Sequence, residues 1–138
     1  MGTGVVSVLV LGGTAEARAL AQRLDEEAIG FVSSLAGRVR RPRLPVGQTR
    51  IGGFGGADGL ATHLREHRVG AVVDATHPFA EGISANAAVA CRAAGVPLLR
   101  LARAGWAGQP GAGRWHWVDD HDGAARAAAR LGSRVLLT

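Results

Sequence analysis

Two glycines and a threonine follow an apolar segment near the start of the chain. The stretch "VVSVLVLGGTAEARALAQRL" (5–24) passes from a Val-rich run into an amphipathic helical pattern. Against the dinucleotide fingerprint G-x-G-x-x-G, Gly12 fills the first position, but Thr14 and Ala17 replace the other two glycines. Because a glycine turn before a helix N-terminus suits an anion, Gly12, Gly13 and Thr14 are predicted to hold a phosphate. The alternative is an ordinary strand-to-helix turn.

The next loop indicates which phosphate-bearing cofactor fits. About twenty residues after the glycine turn, an NAD-binding unit places Asp or Glu on the ribose 2′-hydroxyl. Here the sequence is "SSLAGR", with Ser33, Ser34 and Arg38 and without an acid. Hydroxyls and a guanidinium suit a 2′-phosphate, so NADPH is the predicted cofactor. Arginines continue through this region, where a solvated loop is the alternative: Arg38, Arg40, Arg41, Arg43 and Arg50.

Two later loops complete the candidate site. In "GGFGGADG", Gly53, Phe54 and Gly55 are predicted to admit the adenine end of a cofactor, unless the glycines only form a turn. In "DATHPFA" (74–80), Thr76 and Phe79 are placed toward the nicotinamide. His77 is the candidate catalytic proton or hydrogen-bond donor, although a lone histidine is more often structural.

Metal chemistry is not predicted. The single Cys91 has no partner at ligand spacing, and the five histidines form no metal-ligand pattern with carboxylates. A protein with one cysteine is expected in a reducing, cytoplasmic setting.

The elements that position these loops alternate regularly. Apolar strand patterns at residues 5–11, 31–35, 48–51, 69–76 and 96–102 alternate with helical patterns at 15–27, 80–94 and 123–131 and with "GGFGGADGLATHLREH" (52–67), a glycine turn followed by a helix. Asp58 is the predicted cap of the second helix, and "RWHWV" (114–118) and "RVLLT" (134–138) are predicted strands. This order predicts an α/β fold: a doubly wound, mainly parallel, Rossmann-like sheet with helices on both faces. Residues 1–138 are predicted to form one lobe.

Composition excludes other classes. The 138 residues have a net charge of +5, but all sixteen basic residues are Arg, as expected from biased codon usage. Because Tyr and Lys are both absent, we expect no nucleic-acid binding. Apolar runs are too short to span a bilayer, so no membrane segment is expected.

Several motifs, taken in order, resemble the precorrin-6A reductase family of cobalamin biosynthesis. They are "LGGTAEAR" (11–18), "SSLAG" (33–37), "GGFGG" with "GL" (52–60), "DATHPFA" with "ISANAA" (74–88) and R-x-G-W (103–106). Ala104 stands where the family pattern has proline.

The resemblance implies an NADPH-dependent enzyme that reduces precorrin-6A to precorrin-6B. It also implies a polycarboxylate tetrapyrrole substrate and a two-lobed enzyme whose C-terminal lobe is absent from these residues. We expect the protein to be a monomer. The arginine-rich stretch 38–50 then has a second possible role, toward substrate carboxylates. A non-catalytic NADP(H)-binding or regulatory module of the same fold is the alternative.

Overall fold

The computed structural model describes residues 8–136, except for the side chain of Trp106. They form two compact units, divided between Arg103 and Ala104. The first unit contains, in order, β1 (Val8–Leu11), α1 (Ala15–Glu26), β2 (Phe31–Leu35), β3 (Gln48–Ile51), α2 (Gly56–Glu66), β4 (Ala71–Asp74), α3 (Glu81–Ala94) and β5 (Leu98–Arg100). The second contains α4 (His121–Leu131) and two short 3₁₀ helices, Trp106–Gly108 and Ala112–Arg114.

The five strands form one parallel sheet in the order β3-β2-β1-β4-β5. In the central β1, Leu11 lies opposite Ser34 of β2 and Asp74 of β4. The chain first winds from β1 toward β3 and then crosses to β4, so the strand order reverses between β1 and β4. The predicted doubly wound α/β fold is confirmed. Ligands of such sheets bind at the carboxyl ends of the strands, near this reversal.

Alternation along the strands builds a separate core on each face of the sheet. Leu9 and Leu11 of β1 pack with buried side chains of α2 and α3, including Leu60, Leu64, Ala87 and Ala90. Val10, between them, packs on the opposite face with Ala17 of α1. Helices therefore cover both faces of the sheet, and the carboxyl ends of its strands are held by two cores.

Some predicted boundaries change. The start of the first predicted strand, 5–7, lies outside the described residues. The prediction that Asp58 caps α2 is wrong: the helix begins at Gly56, and Gly55 takes the N-cap position with a φ of 83°. A positive φ suits glycine, so the glycine pair sets the start of the helix. The loop between β2 and β3, residues 36–47, contains no helix or strand.

The second unit differs more from its prediction. The alternating "RWHWV" forms no strand: Arg114 ends a 3₁₀ helix, and 115–118 have no regular structure. A strand needs a partner to pair its backbone groups, and residues 104–136 contain no other strand. The second predicted strand, 134–138, is not regular over 134–136, and 137–138 lie outside the described residues. Helix α4 begins earlier than predicted because Asp120 accepts a hydrogen bond from the Gly123 N–H at 2.6 Å.

Candidate functional site

A cleft of about 620 Å³ opens at the carboxyl ends of β1 to β4 in the first unit. Its described lining comes from the turns after these strands and from the start of α3: Leu11–Gly13, Ser34, Ala36, Arg38, Gly52–Gly56, Thr76–His77, Phe79–Ile83 and Asn86. The charged side chains of that lining are the guanidinium of Arg38 and the carboxylate of Glu81. The cleft therefore collects residues from all four loops that the sequence singled out.

The turn after β1 brings backbone close to the cleft. A Cβ on Gly12 would lie 3.3 Å from a methyl of Leu35 and 3.5 Å from the Ser34 carbonyl oxygen, so a larger side chain would crowd β2. Gly12 also donates its N–H to that carbonyl at 2.9 Å. Gly13 has a φ of 109°, and a Cβ there would meet nothing within 4 Å. The turn therefore leaves open space just before the N-terminus of α1, where helix N–H groups lack intrahelical partners.

Thr14 occupies the N-cap of α1. Its Oγ1 accepts a hydrogen bond from the Ala17 N–H at 3.1 Å and donates to the Ala75 carbonyl at 2.7 Å. A hydroxyl has one proton, and here Thr14 donates it to the Ala75 carbonyl. The side chain therefore caps the helix and links its N-terminus to the end of β4. A direct role of this hydroxyl on a phosphate stays a prediction, and in this structure the hydroxyl is engaged internally.

The two adjacent serines of β2 lie on opposite faces of the sheet. Ser34 lines the cleft. Ser33 is only 1% exposed and is not part of the described lining, and its Oγ has no hydrogen-bond partner among the residues that the structure describes. The position of Ser33 therefore does not support the predicted cofactor contact, and Ser34 alone of the pair is placed for it.

Arg50 of β3 connects the ends of two strands. Its guanidinium donates to Ser34 Oγ and to the Gly52 carbonyl at 3.0 Å each, and to the Gly53 carbonyl at 3.1 Å. It also lies over the Phe54 ring, 3.8 Å from the centroid. From the sequence, Arg50 is visible only as one member of a charged cluster, because its contacts depend on the β2–β3 register.

The glycine loop after β3 follows the prediction in position. Gly53, Phe54 and Gly55 all line the cleft, and a Cβ on Gly53 or Gly55 would meet nothing within 4 Å. Phe54 packs against the core on the α2 side, with the His63 ring edge-on at 5.0 Å between centroids. The loop thus combines open backbone with one anchored aromatic ring.

A buried carboxylate organises the turn after β4. Asp74 Oδ1 accepts hydrogen bonds from the Thr76 hydroxyl at 2.6 Å and from the Thr76 N–H at 3.1 Å. Arg100 of β5 donates to Asp74 Oδ2 and to Ser84 Oγ. Burial alone would raise the pKa of Asp74, but hydrogen bonds from Ser84, Thr76 and Arg100 outweigh it and hold the pKa below its ordinary value. Asp74 is therefore an ionised anchor of the turn.

The tip of the same turn is exposed. His77 Nδ1 accepts the Phe79 N–H at 3.2 Å, so the proton of the neutral imidazole lies on Nε2. The Phe79 side chain is 88% exposed, and the centroids of the two rings are 5.2 Å apart. His77 and Phe79 both line the cleft, as does Thr76 at its base.

Sequence reasoning missed the wall that α3 provides. Gly82, Ile83 and Asn86 line the cleft, and their spacing of three and four residues places them on one helix face. That spacing was visible in "EGISANAA" and could have indicated the wall.

Two of the sequence motifs are joined by an ion pair. Arg103 donates to both carboxylate oxygens of Glu16 at the start of α1, at 2.8 and 3.2 Å. The pair neutralises a carboxylate next to the glycine turn.

No group of three or more His, Cys, Asp or Glu side chains able to hold a metal occurs between residues 8 and 136. Across the same residues, no helix has the length and apolar character needed to cross a bilayer.

Comparison with curated proteins gives consistent matches. A precorrin-6A reductase of Rhodococcus erythropolis is 57% identical over 132 residues, covering 95% of this chain and 53% of its own length. A precorrin-6A reductase of Mycobacterium tuberculosis is 54% identical, with 95% and 52% covered. A cobalt-precorrin-6A reductase of Salmonella typhimurium is 35% identical, with 95% and 50% covered. The chain thus spans about half the length of the curated relatives it matches.

Solved structures agree on the fold. A structure titled CobK precorrin-6A reductase superposes with a TM-score of 0.72 at 49% identity, covering 74% of this chain and 41% of that chain. The Bordetella bronchiseptica enzyme WbmG gives a TM-score of 0.51 at 21% identity, covering 68% and 36%, which is a likeness of fold alone. The family model of the precorrin-6x reductases, CbiJ/CobK, matches residues 7–138. On that match and these identities, the chain belongs to the precorrin-6x reductase family.

Proposed function

We propose that this chain carries the NADPH-binding part of a precorrin-6A reductase, which reduces precorrin-6A to precorrin-6B in cobalamin biosynthesis. One observation carries the cofactor choice: the cleft wall at the end of β2 presents Ser34 and Arg38, while the carboxylate of the described lining, Glu81, comes from α3. An acid at the end of β2 would favour a ribose 2′-hydroxyl, whereas a guanidinium and a hydroxyl favour a 2′-phosphate.

The turn after β1 fits a pyrophosphate. Gly13 leaves the space in front of α1 open, and α1 is long enough, at twelve residues, to direct a positive dipole end toward that space. Gly12 allows the backbone to lie against β2. The Gly12 N–H is bonded to the Ser34 carbonyl, so we assign the backbone N–H groups that follow it to the pyrophosphate, with Thr14 fixing the helix that presents them.

The adjacent loops fit the two ends of the cofactor. Ser34 and Arg38 would hold the 2′-phosphate, and Gly53, Phe54 and Gly55 would accommodate the adenine. Thr76, His77 and Phe79 would border the nicotinamide. When bound, NADPH supplies a hydride from the nicotinamide C4. The residues of this chain orient it through fixed backbone and charge. Because His77 Nδ1 accepts the Phe79 N–H, the Nε2–H of this ring is available as a hydrogen-bond donor at the cleft.

The arginine-rich loop gives the substrate a complementary charge. Arg38, Arg40, Arg41 and Arg43 are exposed on the connection between β2 and β3, and Arg38 lines the cleft. We propose that this loop attracts the carboxylates of a tetrapyrrole. Such attraction raises encounter and binding, whereas the hydride-transfer rate depends on orientation.

Single-turnover oxidation of NADPH by precorrin-6A tests the proposal. The chain and a full-length relative, such as the Rhodococcus erythropolis reductase, are mixed with both reactants, and the NADPH absorbance is followed. We expect NADPH to bind the chain and the full-length protein to reduce the substrate much faster. NADPH binding without turnover in the full-length protein would instead favour a non-catalytic NADP(H)-binding module.

A further inference from the structure

Arg50 touches four groups that line the cleft, although it is not itself part of the described lining. It lies opposite Ser34 in the β2–β3 register. From there its guanidinium reaches Ser34 Oγ, the carbonyls of Gly52 and Gly53, and the Phe54 ring. One side chain thus joins the end of β2 to the glycine loop after β3.

The direction of the Arg50–Ser34 hydrogen bond follows from chemistry. A guanidinium has only donors, so Ser34 Oγ must accept, and its own proton is left for another acceptor. The structure gives Ser34 Oγ no second partner among residues 8–136, and the side chain faces the cleft. By contrast, the Thr14 hydroxyl donates its proton in a hydrogen bond to the Ala75 carbonyl, and the Thr76 hydroxyl donates to the Asp74 carboxylate. Ser34 is therefore a hydroxyl whose proton stays available to a ligand.

The surroundings hold Arg50 in this arrangement. Two backbone carbonyls and an aromatic face restrict the guanidinium, and Phe54 is supported by His63 on its edge. Burial lowers the pKa of Arg50, but a guanidinium remains protonated at neutral pH. A fixed positive charge thus lies directly behind the Ser34 hydroxyl.

We infer that Arg50 is a specificity-determining positioning residue: by donating to Ser34 Oγ, it leaves that hydroxyl to act as a donor toward an anionic acceptor in the cleft. The preferred ligand is then one with a phosphate on the adenosine ribose. The inference rests on the proposed NADPH function and adds a residue that acts through Ser34 instead of touching the cofactor.

A double-mutant cycle on the full chain tests the inference. NADPH and NADH dissociation constants are measured for the wild type, S34A, R50Q, R50K and the S34A combinations. R92Q, at an exposed position in the last turn of α3, is the charge-matched control and should leave both constants unchanged. S34A should weaken NADPH about tenfold and NADH less than threefold. In the R50Q background, S34A should weaken NADPH less than threefold, because the side-chain carbonyl of the introduced glutamine can take the Ser34 proton. Lysine only donates, so R50K should retain most of the S34A effect.

Two probes separate failure of the inference from failure of the proposed function. Adenosine 2′,5′-bisphosphate should bind the wild type more tightly than adenosine 5′-monophosphate. If it does not, both the NADPH function and the role of Arg50 are overturned. If it does, the proposed function stands. The role of Arg50 is nevertheless overturned if S34A weakens NADPH binding equally in the wild-type and R50Q backgrounds, or does not weaken it at all. If R50Q does not fold, as judged by its thermal melt, R50K decides with the opposite criterion. S34A should weaken NADPH about tenfold in the R50K background, as in the wild type, and an S34A effect below threefold there would overturn the role of Arg50.

Discussion

The two ends of the cleft are built differently. At the end formed by β1, β2 and β3, neighbouring turns bond directly to one another: Gly12 N–H to the Ser34 carbonyl, Gly52 N–H to the Leu35 carbonyl, and Arg50 to the glycine loop. At the end formed by β4, the base of the turn is fixed by Asp74, but its tip carries an exposed His77 and an 88% exposed Phe79.

This difference separates binding from chemistry. Groups already held by hydrogen bonds lose little freedom when a ligand arrives, so the β1–β3 end is preorganised to bind. The tip of the β4 turn has exposed rings that a ligand could cover, which suits the end where we propose that the nicotinamide lies. Four substitutions test this contrast, beginning with the largest expected effect.

Asp74→Asn should break the fixed base of the β4 turn. The amide loses the charged partner of Arg100 and one strong acceptor for Thr76, so the free energy of unfolding should fall by about 2 kcal/mol at pH 7. Chemical denaturation measures this, with the exposed Asp25→Asn as control.

The same substitution has a pH signature. Because the folded-state pKa of Asp74 is lowered, its stabilising contribution is present above the unfolded-state pKa, about 3.9, and is lost as pH falls through the folded value. The gap in stability between wild type and Asp74→Asn should therefore shrink below about pH 4. A gap that is constant with pH would show that the Asp74 charge is not what anchors the turn.

Thr14→Val tests whether the glycine turn is held by a cap. Valine keeps the shape but removes both hydrogen bonds of the hydroxyl, so stability should fall by about 1 kcal/mol, roughly the usual cost of losing a cap. The exposed Thr62→Val of α2 is the control. An unchanged melting temperature together with weaker NADPH binding would instead indicate a direct phosphate contact.

Arg38→Ala should act on binding at the preorganised end alone. Losing a guanidinium contact to a 2′-phosphate should weaken NADPH about tenfold and leave NADH and stability nearly unchanged. Arg41→Ala removes the same charge from the same loop without touching the described cleft lining. Equal losses for Arg38→Ala and Arg41→Ala would mean that only general charge attracts the cofactor.

His77→Ala should have the smallest effect. Its ring is exposed and bonds only to the Phe79 N–H among the described contacts, so the free energy of unfolding should change by less than about 0.5 kcal/mol. NADPH affinity should change less than threefold by calorimetry. A large loss of stability would contradict this prediction, because it would show that His77 supports the fold as Asp74 does at the base of the same turn.

The alternation of strands and helices was sufficient to predict the fold and the four loops of the cleft. It could not decide between Ser33 and Ser34, because a shift of one residue in a strand reverses the face of every side chain. Only the register with β1 and β3 places Ser34 at the cleft and Arg50 beside it.

Long-range contacts explain the other differences. The Thr14 hydroxyl was predicted to face a phosphate, yet its acceptor, Ala75, is 61 residues away in the sequence and becomes its neighbour only when β1 and β4 pair. "RWHWV" has a strand pattern, but residues 104–136 offer it no strand to pair with. Local patterns therefore predicted elements, and pairing decided what individual side chains do.

Calorimetric titration of the chain with NADPH and with NADH tests the central claim most directly. If the β1–β3 end is a preorganised site for a cofactor with a 2′-phosphate, NADPH should bind at least about tenfold more tightly than NADH, since a charged contact of this kind contributes about 1.5–3 kcal/mol. Equal affinities for the two cofactors, or binding of neither, would contradict the account.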